Sequence, residues 1–270
     1  MPTVHLPYVD SALAHMEEGG PTAFWHNLHW GLYAEPDAAD DSPEGYVAAA
    51  AALTERVVAA ADVAPGRRVL DVGCGFGGTL DHIRSLHPGC RMAGVNIDER
   101  QLRWARRLAA GGPVPFVAAD GCRLPVASRT QDHVLAVECV FHFPSRKAFF
   151  LEAARVLEPG GTLAMTDFLL APGGMAVFLA KAAELGPGDW YGHSSTPLTS
   201  AGYGRLGRAT GFDLLVDEDV TARTLPTYPA RRRLYREAGA DEGVATIDRV
   251  EALATEGAWQ YHVLAFRRRR

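Results

Sequence analysis

The sequence predicts a doubly wound α/β fold, and the order of its apolar and helical segments carries that prediction. Short apolar segments at 69–72, 91–97, 114–118, 132–138 and 162–170 have the pattern of strands and alternate with helical patterns. The first segment runs into a turn rich in glycine, and a helical pattern at 146–157 stops at the proline and glycines of 158–161. Such alternation is typical of a mainly parallel sheet with helices on both faces.

The glycine turn after the first strand indicates a ligand that approaches the backbone closely. Gly73, Gly75 and Gly78 satisfy the pattern GxGxxG, so a dinucleotide site is one candidate. Asp71 stands at the end of the strand, where its carboxylate would repel a pyrophosphate and attract a cationic ligand. A ligand that carries positive charge and no phosphate therefore fits the turn better than a dinucleotide does.

Polar residues also follow the later predicted strands. Asn96 ends the second strand, Asp120 follows the third and Glu138 ends the fourth. The carboxyl ends of parallel strands meet at one edge of a doubly wound sheet, and ligands bind in the crevice outside that edge. We therefore expect these side chains to surround the same ligand as Asp71.

This order of motifs resembles the class I S-adenosylmethionine-dependent methyltransferases, and within them the small-molecule branch that includes natural-product, sterol and ubiquinone-type enzymes. The resemblance covers about residues 45–170 well and the two ends more weakly. It implies a Rossmann-like sheet of seven strands whose last two form an antiparallel hairpin, with an inserted helical cap over the substrate. It also implies S-adenosylmethionine as the cofactor and S-adenosylhomocysteine as its product.

The resemblance assigns the cofactor contacts residue by residue. Asp71 would orient the methionine ammonium, with the backbone of Gly73 and Gly75 lying against the ligand. Asn96 departs from the acid usual at its position, so the ribose hydroxyls would be bound by amides. The full predicted set of cofactor-binding residues is Asp71, Gly73, Gly75, Asn96, Ile97, Gln101, Asp120, Gly121, Cys122, Glu138 and Tyr33.

Asp120 is expected to accept a hydrogen bond from the adenine amino group, or else to cap a helix. Gly121 and Cys122 would offer backbone groups beside the adenine ring. Gln101 is the residue expected to assist Asn96 at the ribose, and the alternative is an exposed position on a helix.

The segment 24–33 is strongly aromatic and is similar to a patch that closes over the cofactor in several small-molecule methyltransferases. Its aromatic faces would attract a sulfonium, and the Tyr33 hydroxyl would reach the methionine carboxylate. The alternative is a helix that packs on the core through Phe24, Leu28 and Leu32.

Two residues near the end of the fourth strand are the catalytic candidates. A sulfonium is already an activated methyl donor, so a base is needed only where the acceptor must lose a proton. His142 would serve a hydroxyl or amine acceptor, unless it only holds the cofactor or packs in place. If the acceptor is an alkene carbon of an isoprenoid, Glu138 would stabilise the resulting carbocation and then remove its proton. The predicted substrate pocket comprises His29, Phe178, Trp190, Tyr191 and Tyr203.

The chain divides into an N-terminal aromatic segment at 1–44, a cofactor-binding core at 45–170 and a C-terminal part at 171–270. That last part holds cap insertions at about 171–205 and 225–256, the second with two helical patterns. A closing strand at 259–266 alternates aromatic and polar residues.

Composition and net charge limit the classes of binding partner that the chain is expected to have. The 270 residues are 47% apolar and carry a net charge of -5, which disfavours nucleic acid. No apolar run approaches the length of a membrane span and no signal peptide is evident, so a cytoplasmic monomer or homodimer is expected. Four cysteines without metal-ligand spacing predict reduced thiols and no metal.

The expected function is transfer of a methyl group from S-adenosylmethionine to O, N or C of a small, fairly apolar metabolite, in natural-product biosynthesis. C-methylation of an isoprenoid or other alkene is the alternative within the family. A nucleotide-binding oxidoreductase or a non-catalytic cofactor-binding module is the alternative from another class.

Overall fold

A computed structural model describes residues 6–19, 24–109, 114–182 and 195–270. Its helices are α1 (Pro7–Glu17), α2 (Pro43–Ala60), α3 (Gly78–Leu86), α4 (Glu99–Leu108), α5 (Arg146–Val156), α6 (Met175–Ala182), α7 (Ser200–Ala209), α8 (Thr221–Thr224), α9 (Thr227–Glu237) and α10 (Asp241–Thr255). Its strands are β1 (Arg68–Val72), β2 (Arg91–Asn96), β3 (Phe116–Ala118), β4 (Gln131–Ala136), β5 (Leu157–Leu170), β6 (Phe212–Asp219) and β7 (Trp259–Arg268).

The seven strands form one sheet in the order β3-β2-β1-β4-β5-β7-β6. The first five are parallel to one another, and β7 lies antiparallel to both β5 and β6. The strand order reverses between β1 and β4, which is the place where doubly wound sheets bind ligands. The predicted fold class, including the antiparallel C-terminal pair, is confirmed.

Helices cover both faces of the sheet and form two apolar clusters. Val69 and Leu135 point to the cluster that includes α2, α3 and α9, while Leu70 and Val134 point to the cluster that includes α5 and α7. Because both faces are covered, the central strands bury apolar side chains on both of their faces. The sheet is thereby a rigid support for the loops at its carboxyl edge.

One predicted boundary and one predicted alternative were wrong. The break at 158–161 ends helix α5 as expected, but β5 already begins at Leu157 and runs through the proline and glycines. The strand accommodates them because its register shifts beside β4 and Gly160 has a φ of 85°, which is the geometry of a bulge. The segment 24–33 forms no helix, although its aromatic side chains are largely buried, so the helical alternative is excluded.

The cap insertion at 225–256 holds two helices, α9 and α10, as predicted. Helix α1, by contrast, was not expected in the N-terminal segment.

All four cysteines are free thiols, and Cys74 and Cys139 are buried. Within the described ranges, none of the helices combines the length and apolar character that a membrane crossing requires.

Candidate active site

A cavity of about 130 Å³ lies at the carboxyl ends of β1, β2, β3 and β4. The glycine turn forms its floor, and the ends of the other three strands form its sides. Leu6 and Tyr8 at the start of the chain and residues 26–29 cover it from above. The predicted cofactor residues that line this cavity are Asp71, Gly73, Gly75, Asn96, Ile97, Gln101, Asp120, Gly121 and Glu138. Their cofactor contacts remain predictions.

Asp71 gives the cavity its most informative polar group. The residue is 1% exposed, and its Oδ2 has no hydrogen-bond partner in the described part of the chain. Burial raises the pKa of the carboxyl from 3.8 to about 7. Burying a carboxylate without a partner costs free energy of folding. A ligand that carries a positive charge or a hydrogen-bond donor would offset this cost. The ammonium of S-adenosylmethionine fits that requirement, and a phosphate does not.

The glycine turn is shaped by the side chains packed around it. Gly73 has a φ of 78°, and a Cβ there would lie 2.6 Å from the Cys139 side chain. Gly75 has a φ of 52°, and a Cβ on it would come no nearer than 3.7 Å to Gln101. Only the absence of a side chain lets the turn adopt this path and leave its backbone open to a ligand.

Asn96 and Gln101 act as a pair. The Asn96 amide donates to Gln101 Oε1 at 2.8 Å, and both side chains are buried. This bond orients the remaining Asn96 oxygen and the Gln101 amide as one acceptor and one donor on the cavity wall. A pair of ribose hydroxyls requires such groups, so two neutral amides can replace the usual carboxylate here.

Asp120 and Gly121 follow β3 and line the cavity, but Cys122 does not. The Cys122 N–H donates to Asp120 Oδ1 at 2.8 Å, and its thiol donates to the Ser145 carbonyl at 3.4 Å. Asp120 thus closes its own turn with one carboxyl oxygen. The Cys122 N–H and thiol are thus bound to protein partners, and the predicted contact of its backbone with adenine stays a prediction.

Glu138 lies where the cavity meets a second one. Its Oε2 accepts hydrogen bonds from the Trp30 N–H at 2.7 Å and the Tyr261 hydroxyl at 2.5 Å. Burial raises the pKa of the Glu138 carboxyl from 4.5 to about 7, although these two donors oppose the rise. Its backbone φ of 52° is unusual for a residue with a side chain and costs about 1–3 kcal/mol. Such strain is typical of functional positions.

The second cavity, of about 70 Å³, is walled by aromatic rings. Phe168 is central to it, with its ring centroid 4.9 Å from Trp259, 5.5 Å from Trp30 and 5.8 Å from Phe141. Glu138 and Phe141 line both cavities, so the two spaces adjoin at these residues. We refer to them below as the cofactor cavity and the aromatic cavity.

His142 lies in the short 3-10 turn Val140–His142 and lines the cofactor cavity. Its Nε2 is 3.5 Å from the Tyr8 hydroxyl, and the two rings stack with centroids 6.0 Å apart. Tyr8 belongs to α1 and was missed by the sequence analysis. A tyrosine near the start of a short apolar helix gave no pattern that would have placed it over the glycine turn.

Several predicted contacts lie elsewhere. Tyr33 does not line the cofactor cavity, and its N–H donates to the Arg223 carbonyl at 2.9 Å. His29 lines the cofactor cavity rather than a substrate pocket, and its Nδ1 lies 2.9 Å from the Trp30 carbonyl. Burial lowers the pKa of His29 from 6.5 to about 4, so its ring stays neutral.

The predicted pocket residues of the cap do not line either cavity where the structure describes them. Phe178 lies half-buried on α6, outside the lining of both cavities. Tyr203 is fully buried and donates to Asp167, which forms an ion pair with Arg146 at 3.0 Å. A buried carboxylate needs such partners, so the tyrosine is held in the protein interior. Trp190 and Tyr191 lie outside the described residues.

Comparisons with known proteins agree with this geometry. A methyltransferase domain family matches residues 70–165. The chain is 34% identical over 214 residues to the methyltransferase GfsG of Streptomyces halstedii, over 77% of this chain and 73% of that protein. It is 29% identical over 264 residues to the 27-O-demethylrifamycin SV methyltransferase of Amycolatopsis mediterranei, over 90% of both chains.

Among solved structures, the cyclase SpnF matches with a TM-score of 0.75 and 23% identity, over 97% of this chain and 94% of that one. This last likeness concerns the fold alone. The curated relatives decide against the oxidoreductase and the non-catalytic module. The cofactor is therefore S-adenosylmethionine and not a dinucleotide. The chain belongs to the class I S-adenosylmethionine-dependent methyltransferases and is an enzyme of that family.

Proposed function

We propose that the enzyme transfers the methyl group to a hydroxyl of a small apolar metabolite, such as a natural product, that binds in the aromatic cavity. The observation that carries this proposal is the junction of the two cavities at Glu138 and Phe141. A cavity with an unpaired carboxylate and an aromatic cavity without one meet at a single titratable side chain. The relative from Amycolatopsis mediterranei, by its name, methylates an oxygen, which supports the choice of a hydroxyl.

The cofactor cavity would hold S-adenosylmethionine by three polar groups at the strand ends. Asp71 would pair with the ammonium, the Asn96–Gln101 amides would bind the ribose, and Asp120 would accept from the adenine amino group. When bound, the cofactor supplies an activated methyl group, so the protein has mainly to align the acceptor and exclude water. The aromatic walls of the neighbouring cavity serve both requirements.

Glu138 would be the general base. As the acceptor oxygen forms its bond to the methyl carbon, its proton must leave, and the Glu138 carboxylate stands at the junction to accept it. Two donors already hold Oε2, so Oε1 is the oxygen that faces this task. A carboxyl with a pKa of about 7 is a suitable base near neutral pH, since a base is most effective when its pKa is close to the working pH.

His142 is the second candidate base. It lines the cofactor cavity but not the aromatic cavity, and the Tyr8 hydroxyl lies near its Nε2. This arrangement favours a role at the cofactor, for example in binding its amino-acid end. We therefore rank His142 below Glu138, which reverses the order that the sequence suggested for a hydroxyl acceptor.

C-methylation of an alkene is the second candidate function, and the ring faces around Phe168 favour it. Aromatic rings stabilise a neighbouring cation, and Glu138 stands where it would remove a proton from a carbocation. The two functions use the same residues and differ in the acceptor atom. Product analysis separates them.

The decisive experiment supplies methyl-labelled S-adenosylmethionine with extracts of hydroxylated polyketides and, in parallel, of isoprenoids. An O-methyl ether, recognised by the carbon chemical shift of the labelled methyl in a product one methylene heavier, is the expected result. A C-methyl product would establish the second candidate instead. Calorimetry on the same protein that finds no S-adenosylmethionine binding would refute both.

A further inference from the structure

The irregular segment 24–33 is a wall of both cavities. Residues 26–29 line the cofactor cavity, and Trp30 lines the aromatic cavity. The Trp30 N–H also donates to Glu138 at the junction. Since the segment has no helix or strand pairing of its own, something else must fix its buried backbone groups.

Tyr46 and Ala49 of α2 bind part of this backbone, and a row of three residues spaced four apart binds the rest. Arg223 accepts from the Tyr33 N–H at its carbonyl and donates from Nε to the Tyr33 carbonyl at 3.1 Å. Thr227 accepts from the Gly31 N–H at 3.0 Å. Arg231 donates to the Leu28 carbonyl. The row therefore binds three successive parts of the segment from α8 and α9.

Arg231 is the unusual member of this row. It is 1% exposed, and its guanidinium carbon lies 5.1 Å from the Tyr46 ring centroid, 5.5 Å from that of Phe24 and 5.8 Å from that of Trp30. Arg231 thus touches the segment through two ring faces and one carbonyl. Replacing a buried charged group by an apolar residue often costs no stability. The buried guanidinium of Arg231 therefore indicates a role in positioning the segment rather than in stability alone.

We propose that Arg231 is a positioning residue for methyl transfer, which fixes the segment 24–33 against α9 so that the cofactor cavity and the aromatic cavity keep a common wall. The proposal rests on the function proposed above, because it takes the two cavities as the sites of cofactor and acceptor. Through this wall, Arg231 also sets the distance between the Trp30 N–H and Glu138. Arg231 on α9 thereby influences the contacts made in the cofactor cavity, although α9 itself does not line that cavity.

The test replaces Arg231 by methionine, which keeps the length and removes the charge and the donors. Arg231→Lys is the conservative variant, and Arg233→Met is the matched control on the same helix. Arg233 is exposed and pairs with Asp41 and Glu237, away from the segment. Hydrogen exchange of the amides at 30–33, affinity for S-adenosylhomocysteine and steady-state kinetics are measured on all three variants and the parent enzyme.

Arg231→Met is expected to raise exchange at residues 30–33 by about 10–100-fold, because the bond that holds the Leu28 carbonyl is lost and the backbone that follows it is held less firmly. Exchange in α2 and β5 stays unchanged. Affinity for S-adenosylhomocysteine and kcat/KM fall by about 10-fold or more, Arg231→Lys recovers part of both, and Arg233→Met matches the parent enzyme.

Three results would overturn the proposal. One is exchange at 30–33 that equals that of the Arg233→Met control. Another is faster exchange at 30–33 with unchanged kcat/KM. The third is a rise in exchange spread evenly over the chain, which would indicate a structural role only. If Arg231→Met does not fold, Arg231→Lys decides by the same criteria. Absent methyl transfer in the parent enzyme would refute the proposed function, while exchange and S-adenosylhomocysteine binding would still report on the wall.

Discussion

The cofactor cavity and the aromatic cavity lie side by side but are built in different ways. Apart from its cover, the cofactor cavity comes from one continuous stretch of chain, 71–144, in which each strand end delivers its polar residues to the same edge. The aromatic cavity draws on residues from Trp30 to Trp259, from five separate parts of the chain. The topology of the sheet specifies the first cavity, and long-range packing specifies the second.

The two cavities also differ in how they treat charge. Asp71 in the cofactor cavity keeps one carboxyl oxygen without a partner in the described ranges, so it is prepared for a cationic ligand. Arg146 in the aromatic cavity is bound to Asp167, Tyr203 and Ser195. Its charge is therefore already neutralised by the protein. This contrast teaches that the aromatic cavity offers no free cation to an anionic ligand among its described residues, whereas the cofactor cavity offers a carboxylate to a cation.

The largest expected effect lies at the junction that joins the two cavities. Glu138→Gln keeps the shape of the side chain but removes the proton acceptor, so kcat should fall by about 10²–10⁴-fold with cofactor affinity unchanged. The rate of the parent enzyme should rise with pH through about 7, because only the carboxylate accepts a proton, and then level off. The variant should lack that rise.

His142→Ala provides the comparison for this experiment. If its kcat falls more than that of Glu138→Gln and the pH-dependent rise persists in the Gln variant, then His142 is the base. Stopped assays over a range of pH, with S-adenosylhomocysteine affinity measured in parallel, distinguish these outcomes.

The next effect is confined to the cofactor cavity. Asp71→Asn removes the charged partner of the ammonium, so S-adenosylmethionine should bind about 10–100-fold more weakly. Affinity of the parent enzyme should also weaken as pH falls below about 7, because the protonated carboxyl no longer pairs with a cation. The Asn variant should show no such dependence in calorimetry. Asp120→Asn, which alters a contact with the uncharged adenine, should cost about 5-fold. An equal loss in both would contradict the assigned roles.

The same carboxyl links pH to stability. The pKa of Asp71 is higher in the folded chain than its usual 3.8, so the folded state binds more protons than the unfolded state between about pH 4 and 7. Its contribution to the free energy of unfolding is therefore lost as pH rises through 7. Asp71→Asn should remove this part of the pH dependence of the melting temperature.

A smaller effect tests whether the residues that cover the cofactor cavity contribute to cofactor binding in addition to the glycine turn at its floor. A Cβ on Gly78 would lie 2.1 Å from Asn27 Oδ1 and 2.6 Å from the His26 carbonyl, so Gly78→Ala must displace the segment at 26–27. We expect roughly 10-fold weaker cofactor binding, comparable to the loss of one good hydrogen bond, with little change in the core. Gly204→Ala in α7 is the control, since its Cβ would meet nothing nearer than 3.6 Å. Equal affinities in calorimetry would mean that the cover is dispensable.

The smallest effect should be confined to the aromatic cavity. Trp259→Leu removes apolar contact surface for the acceptor, which should raise its KM by about 10-fold at most. Affinity for S-adenosylmethionine should stay unchanged, because Trp259 does not line the cofactor cavity. A loss of cofactor affinity in this variant would show that the two cavities are less independent than their construction indicates.

The sequence was sufficient for the fold and for the floor of the cofactor cavity, because strand, turn and polar residue follow one another there within a few positions. Asp71, Asn96 and Glu138 each stand directly at or beyond a strand end. The cover and the aromatic cavity depend on which distant residues pack together. No local sequence pattern predicts that Arg231 will lie against Phe24.

One missed feature did leave a signal. Trp259 and Tyr261 alternate along β7 and lie opposite Leu170 and Phe168 of β5. The alternation was visible, but the register of the pair is fixed by contacts across the sheet. The surroundings of Tyr203 could not be predicted for a related reason, since its bond to the buried Asp167 joins residues 36 positions apart.

The row formed by Arg223, Thr227 and Arg231 has a consequence for how the chain folds. Its bonds to the N-terminal segment join residues that are 190–203 positions apart. Chains are synthesised from the N-terminus, and contacts between such distant residues form late. The rings of Phe24 and Trp30 therefore have no guanidinium to pack on until most of the polypeptide has been synthesised. The common wall of the cofactor cavity and the aromatic cavity is therefore among the last parts of the enzyme to assemble during and after its synthesis.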